Sequence, residues 1–89
     1  VAPKAPAAPA AKLGYKDQRR QEELDRLMPE RQAEITKLEA AMADPDLFTK
    51  QPAEFQKKVA RLQAARAELE SHEIEWLALE EKRDAISRG

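Results

Sequence analysis

Apolar side chains recur at Leu24, Met28, Ile35, Leu38 and Met42. The steps follow the four-and-three rhythm of a helix that buries one narrow stripe, and Arg31 fills the missing seam position. Leu27 widens the stripe. Pro29 interrupts it by removing a helix hydrogen bond and crowding the preceding turn. The pattern predicts a short helix over 16–28, a kink or break, and a second helix over 30–43 with Pro29 at its start. Asp44-Pro45-Asp46 ends that run, because the residue before a proline is pushed out of the α region and Asp suits turns and caps. The connection is expected to reach Gln51, with Leu47 and Phe48 folded over the end of the helix pair.

A second stripe follows at Phe55, Val59, Leu62, Ala65, Leu69, His72, Trp76, Leu79 and Ile86, with Arg83 intervening. Pro52 suits the first position of a helix and Glu54 its first turn. Nothing breaks the helix from residue 52 to about 87. Both stripes are too narrow for a multilayered core, so folding one against the other is the economical way to bury both. The expectation is all-α: an antiparallel two-stranded α-helical coiled-coil hairpin over residues 12–89 with a proline-kinked first arm. Its register sets Leu38 near Val59, Ile35 near Leu62 and Met28 near Leu69. The short first helix then lies beside Trp76 and Leu79. Ile74 and Leu77 fall off the seam. The favoured reading is that they contact Leu13, Tyr15 or Leu27 as the N-terminal segment wraps the base; the rival is an exposed patch for a partner.

Composition narrows the class. Ala, Glu, Lys, Leu and Arg make up 54 of the 89 residues, a long-helix composition. With two glycines and few β-branched residues, a sheet protein is excluded; with no cysteine, so are disulfides and thiolate metal sites. No apolar run nears the roughly 20 residues that span a bilayer. Residues 1–11 form a Pro/Ala tract, read as a disordered, extended linker. A linker joins two things, and there is no initiator Met, so the chain is expected to continue upstream.

Candidate chemistry is sparse. The sequence has no glycine-rich phosphate loop, no Cys nucleophile and no paired-histidine metal motif. It therefore reads as neither an enzyme nor a holder of metals or cofactors. His72 has glutamate neighbours, but one imidazole without converging partners makes a poor metal site, and a seam histidine is the better reading. Trp76 reads as core by spacing, with an interface anchor as the alternative.

Charge carries more colour. The formal net charge is −1, but residues 12–20 sum to +3, residues 50–66 to +4 and residues 68–84 to −5. Such runs are often plain solvated helix faces. Read functionally, Lys12, Lys16, Arg19 and Arg20, and a second group of Lys50, Lys57, Lys58 and Arg61, could contact nucleic-acid phosphates without reading sequence.

A resemblance sharpens this picture. Lys12-Leu13-Gly14-Tyr15-Lys16-Asp17-Gln18-Arg19 resembles the Lys-Leu-Ser-Tyr-Lys-x-Gln-Arg opening of the C-terminal domain of Uup-type ABC-F ATPases. The similarity runs on through Leu27-Met28-Pro29 and Ile35-Thr36-Lys37-Leu38-Glu39. Asp44-Pro45-Asp46-Leu47-Phe48 is similar to the family's Asp-Pro-x-Leu-Tyr turn, and Glu75-Trp76-Leu77-Ala78-Leu79-Glu80 to its closing Trp-x-x-Leu-Glu. Two departures stand out. Gly14 replaces the usual Ser or Thr, which weakens the first cap, and the stretch from Arg19 to Pro29 is longer by about one helical turn. The resemblance implies a cytoplasmic protein with two ATP-binding cassettes upstream, carrying a tethered coiled-coil domain that contributes DNA binding. Of the basic residues, Lys12, Lys16 and Arg19 lie on the matching motif; the others rest on charge alone. The expected module is a monomeric hairpin, non-catalytic and not membrane-bound, whose polyanion is left open between duplex DNA, a branched junction and ribosomal RNA. The alternative is a protein-interaction hairpin contacting the upstream cassettes or the ribosome through Ile74, Leu77 and Phe48.

Overall fold

A computed structural model describes residues 13–88. The Pro/Ala tract of residues 1–11 and the candidate Lys12 lie outside them. The described residues form three helices: α1 (Tyr15–Met42), α2 (Pro45–Lys50) and α3 (Pro52–Arg88). They build a rod of 69 × 18 × 14 Å, with α3 alone spanning about 55 Å at 1.5 Å per residue. No helix among them is long and apolar enough to cross a membrane.

The two long helices lie side by side and run in opposite senses. Asp17 meets Lys82, Arg20 meets Glu75 and Glu34 meets Arg61, so residue numbers rise on α1 as they fall on α3. Between these flanking pairs runs one apolar seam. Ile35, Leu62 and Ala65 form its buried cluster, with Leu38, Met42 and Leu69 packed against it. Leu24 and Ala65 are wholly buried, both at 0% exposure. The placement of Ile35 with Leu62 follows the expected register. Trp76 is half-buried at the seam's edge, and its indole N–H donates to Asp25 Oδ1 at 2.8 Å. Leu13 and Gln21 are buried as well, at positions the apolar rhythm does not mark. Gln21 is held from both ends: its Nε2 donates to Glu80 and its Oε1 accepts from Arg83.

Three expectations need correction. The expected division at Pro29 into helices 16–28 and 30–43 is absent, because α1 runs unbroken from Tyr15 to Met42 with Pro29 inside. Pro29 is exposed, so the hydrogen bond it forfeits lies on the wet side of the helix. On either side of it Asp25 and Glu34 make contacts to α3. The connection around residues 44–51, to which the sequence pattern assigns no helix, contains the short helix α2. Asp44 caps α2 by accepting from the Asp46 N–H at 2.9 Å, with Pro45 in the first turn. Leu47 is half-buried, and Phe48 packs edge-on to Phe55 with ring centroids 5.1 Å apart. Finally, Ile74 and Leu77 are not covered by the N-terminal segment. They are 64% and 54% exposed, since Ile74 projects from the face of α3 opposite the seam and Leu77 from the flank between that face and the seam.

The N-terminus of α1 follows from Gly14. Its backbone is extended (φ −60°, ψ 160°) and no side chain caps the helix. A Cβ built there meets nothing within 4 Å, so Gly14→Ser should add the missing cap and stabilise by about a few tenths of a kcal/mol. A rise of the thermal midpoint checks this. In the same melts Leu24→Ala should cost about 2–3 kcal/mol and Ile74→Ala no more than about 0.5 kcal/mol.

Candidate nucleic-acid interface

The candidate cations fall into two groups near opposite ends of the rod, and the structure treats their members differently. At the N-terminal end of α1, Tyr15, Arg19, Glu22 and Arg26 follow steps of four, three and four. They share the water-facing side of the helix, away from Leu24. Tyr15 is 72% exposed. The Arg19 guanidinium lies 5.6 Å from its ring centroid and donates to its hydroxyl at 2.7 Å, an arrangement that stiffens a long side chain in open water. Lys16 flanks this stripe. Among the described residues, no carboxylate pairs with Lys16, Arg19 or Arg26. Together with Arg20, these cations line one shallow depression that also includes Glu22 and Glu23.

Arg20 and Arg61 are committed elsewhere. Arg20 donates from Nε and Nη2 to the two carboxylate oxygens of Glu75, at 2.6 and 2.9 Å, and from Nη1 to Glu23 at 2.5 Å. Arg61 grips Glu34 with Nε and with Nη2 at 2.7 Å, and reaches Glu68 at 3.2 and 3.3 Å. Both are forks that tie α3 to α1, and their charge is largely offset in place. The bonds from Arg61, and then from Arg31, hold the Glu34 carboxyl well below its ordinary 4.5, at about 2. Glu75 is likewise lowered, chiefly by Arg20.

Near the other end, Lys50 and Lys57 are exposed and face carboxylates of their own helices, Asp46 at 3.7 Å and Glu54 at 3.3 Å. Such exposed pairs are weak and screened. Lys58 is half-buried, and among the described residues no carboxylate pairs with it. The rise per residue puts this group about 40 Å from Lys16. The structure therefore brings Lys16 and Arg19 together, and keeps Lys50, Lys57 and Lys58 in a separate place. Arg26 was missed because it sits outside the local charge run; its signal was the seven-residue step from Arg19, which is two helical turns on the same face. Lys37, eleven residues beyond Arg26 and also exposed, continues that side.

His72 is half-buried at the seam. Among the described residues, no group of three or more His, Asp or Glu side chains is placed to hold a metal ion.

A family model described as the ABC transporter C-terminal domain matches residues 12–81. The chain belongs to that family. Similar proteins place it further. It is 54% identical over 88 residues to ATP-binding protein Uup of Caulobacter vibrioides, an alignment covering 97% of this chain and 14% of that protein. It is 38% identical over 77 residues to ATP-binding protein Uup of Haemophilus influenzae, covering 86% and 12%. A Uup-like ATP-binding protein of the same species is 39% identical over 75 residues, covering 84% and 16%. No solved structure matches significantly. The chain is thus a Uup-type ABC transporter C-terminal domain, and it spans about a seventh of the length of these relatives. The matched region takes in the whole of α1 and α2 and most of α3, including both basic groups.

The Arg61–Glu34 fork makes the domain's acid stability testable. A carboxylate whose pKa is depressed on folding contributes stability that is complete above its unfolded value. That stability drains away as pH falls from about 4.5 toward about 2. Urea midpoints should therefore drop across that window, and Glu34→Gln should lower stability at neutral pH while flattening the acid slope. An unchanged slope in the variant would show that the fork contributes nothing.

Proposed function

We propose that this domain is an accessory nucleic-acid-binding module: an antiparallel coiled-coil hairpin that presents Lys and Arg to phosphates without reading sequence. The observation carrying this reading is the division of labour among the cations. Arg20 and Arg61 are spent on joining the two long helices, whereas Lys16, Arg19 and Arg26 stand on the water-facing side of α1 without carboxylate partners among the described residues. A solvated structural face gains nothing from leaving three cations unpaired beside an exposed tyrosine; a phosphate-contacting face requires it.

The relatives named above are ATP-binding proteins by name, which supports placing this domain on a chain whose cassettes bind and hydrolyse ATP. The domain would then act as a tether. Linking a weak phosphate-binding module to a second binding unit raises overall affinity through effective concentration. Weakness suits this role, because a module that held nucleic acid tightly by itself would uncouple location from the ATPase cycle.

Fluorescence anisotropy of a labelled DNA duplex across a salt series, with a matched RNA hairpin beside it, tests the reading. Binding should weaken steeply with salt, with a log–log slope near −3 if roughly three phosphates are neutralised. The combined reversal of Lys16, Arg19 and Arg26 to Glu should abolish binding while circular dichroism stays unchanged. Reversal of Lys50 and Lys57 isolates the other group. Binding that persists in the triple variant, or none to either probe at low salt, would overturn the proposal.

A further inference from the structure

The outward face of α3 has the opposite character. Glu70, Ile74, Leu77 and Glu81 follow steps of four, three and four, which puts them on one straight stripe in the order acid, apolar, apolar, acid. Ile74 and Leu77 are 64% and 54% exposed. Glu70 and Glu81 are exposed too, and among the described residues neither has a cationic partner. The nearest cations are turned away: Arg66 to Glu39, Lys82 to Asp17 and Arg83 to Gln21. Glu73, one turn before Leu77, is the next carboxylate along. It forms the lip of an open groove of about 390 Å³ between the two long helices, whose floor includes Met28, Pro29, Leu69 and Trp76.

We propose that this stripe and groove dock an amphipathic helix of a partner protein, with apolar residues three or four apart flanked by Lys or Arg. Charge complementarity selects that occupant. The apolar centre would take the partner's Leu-like side chains, and the carboxylates of Glu70, Glu73 and Glu81 would face its cations. Nucleic acid is repelled by the same three carboxylates, so this site is separate from the basic side of α1. A symmetric second copy is disfavoured as well. Turning α3 onto itself about the midpoint between Ile74 and Leu77 sets Glu70 of each copy against Glu81 of the other. The basic side of α1 of another copy is a poor match, because it offers Tyr15 but no aliphatic pair to meet Ile74 and Leu77.

Trp76 is the chain's single tryptophan and lines the groove, so its emission reports occupancy directly. The probe is a tryptophan-free helical peptide of about 18 residues patterned with Leu and Lys. Controls are the same pattern with Glu for Lys, and with Ala for Leu. The Leu/Lys peptide should shift Trp76 emission saturably, and neither control should. The Ile74→Glu, Leu77→Glu double variant should weaken binding by about tenfold or more; both positions are exposed, so the fold is expected to survive. The Lys16→Glu, Arg19→Glu variant should bind the peptide unchanged, which separates this site from the nucleic-acid reading. Equal binding of the Ala/Lys control or by the Ile74/Leu77 variant would overturn the proposal. So would a mass in sedimentation that rises with concentration and falls in that variant, which would make the stripe a self-association face.

Discussion

Two helices share only one dry line. In this domain that line runs through Leu24, Ile35, Leu62 and Ala65, with Leu13 and Gln21 buried toward the start of α1, and the other described side chains lie at its margin or in water. Ala65 matters because it is small. A wholly buried alanine lets α1 and α3 approach closely where Ile35 and Leu62 interlock. Among the described residues there is no third layer, so burial mainly discriminates which stripe of each helix faces inward. Relative sliding of the two stripes must be resisted by something directional, and that is the work of the flanking charges.

The cations that cross between the helices are nearly all arginine. Arg20 holds Glu75, Arg31 and Arg61 share Glu68 and Glu34, Arg66 reaches Glu39, and Arg83 reaches Gln21; Lys82 with Asp17 is the exception. A planar guanidinium fits a carboxylate with two parallel bonds and so fixes position along the axis, which a lysine ammonium cannot do. Exposed pairs of this kind add little to total stability. Their value is in register, where each one rejects a slipped alignment. Against that background Arg19 and Arg26 are anomalous: they are arginines with no bridge to make, on the side of α1 turned away from α3. A purely structural account of the described arginines covers those with carboxylate partners and leaves Arg19 and Arg26 over, and the nucleic-acid reading uses both.

The seam itself was legible in the sequence because large apolar residues at four-and-three spacing have only one economical use when so few are present. Register was legible for a related reason: the Asp44-Pro45 turn and Pro52 fix where the chain reverses, and the pairing counts outward from there. Pro29 misled because a proline's local cost is fixed while its consequence is not; exposed on one side and bracketed by contacts to α3, it leaves α1 continuous. Gln21 was illegible because a buried amide follows no apolar rhythm. Only Glu80 and Arg83, 59 and 62 residues away, make its burial affordable. For the candidate site, the local charge run identified Lys16 and Arg19 but could not distinguish Arg20 from them. One helical position decides whether a cation faces α3 or water, and local charge sums carry no phase.

That phase gives the rod two different sides. On the half that holds Tyr15 and Trp76, α1 turns cations outward and α3 turns carboxylates and two aliphatic side chains outward. The cross-section is 18 × 14 Å, larger than the Debye length of about 8 Å at physiological ionic strength. At that salt the two faces are electrostatically separate, and occupation of one leaves the other's potential largely intact. At low salt the screening length approaches the full width of the rod, and each face feels the other's charge. A narrow helix pair of near-zero net charge can thus hold two local potentials of opposite sign, provided it works in a salty medium. The net charge of −1 is then a poor guide to what the domain attracts, because a partner within a few ångströms of either face meets only that face.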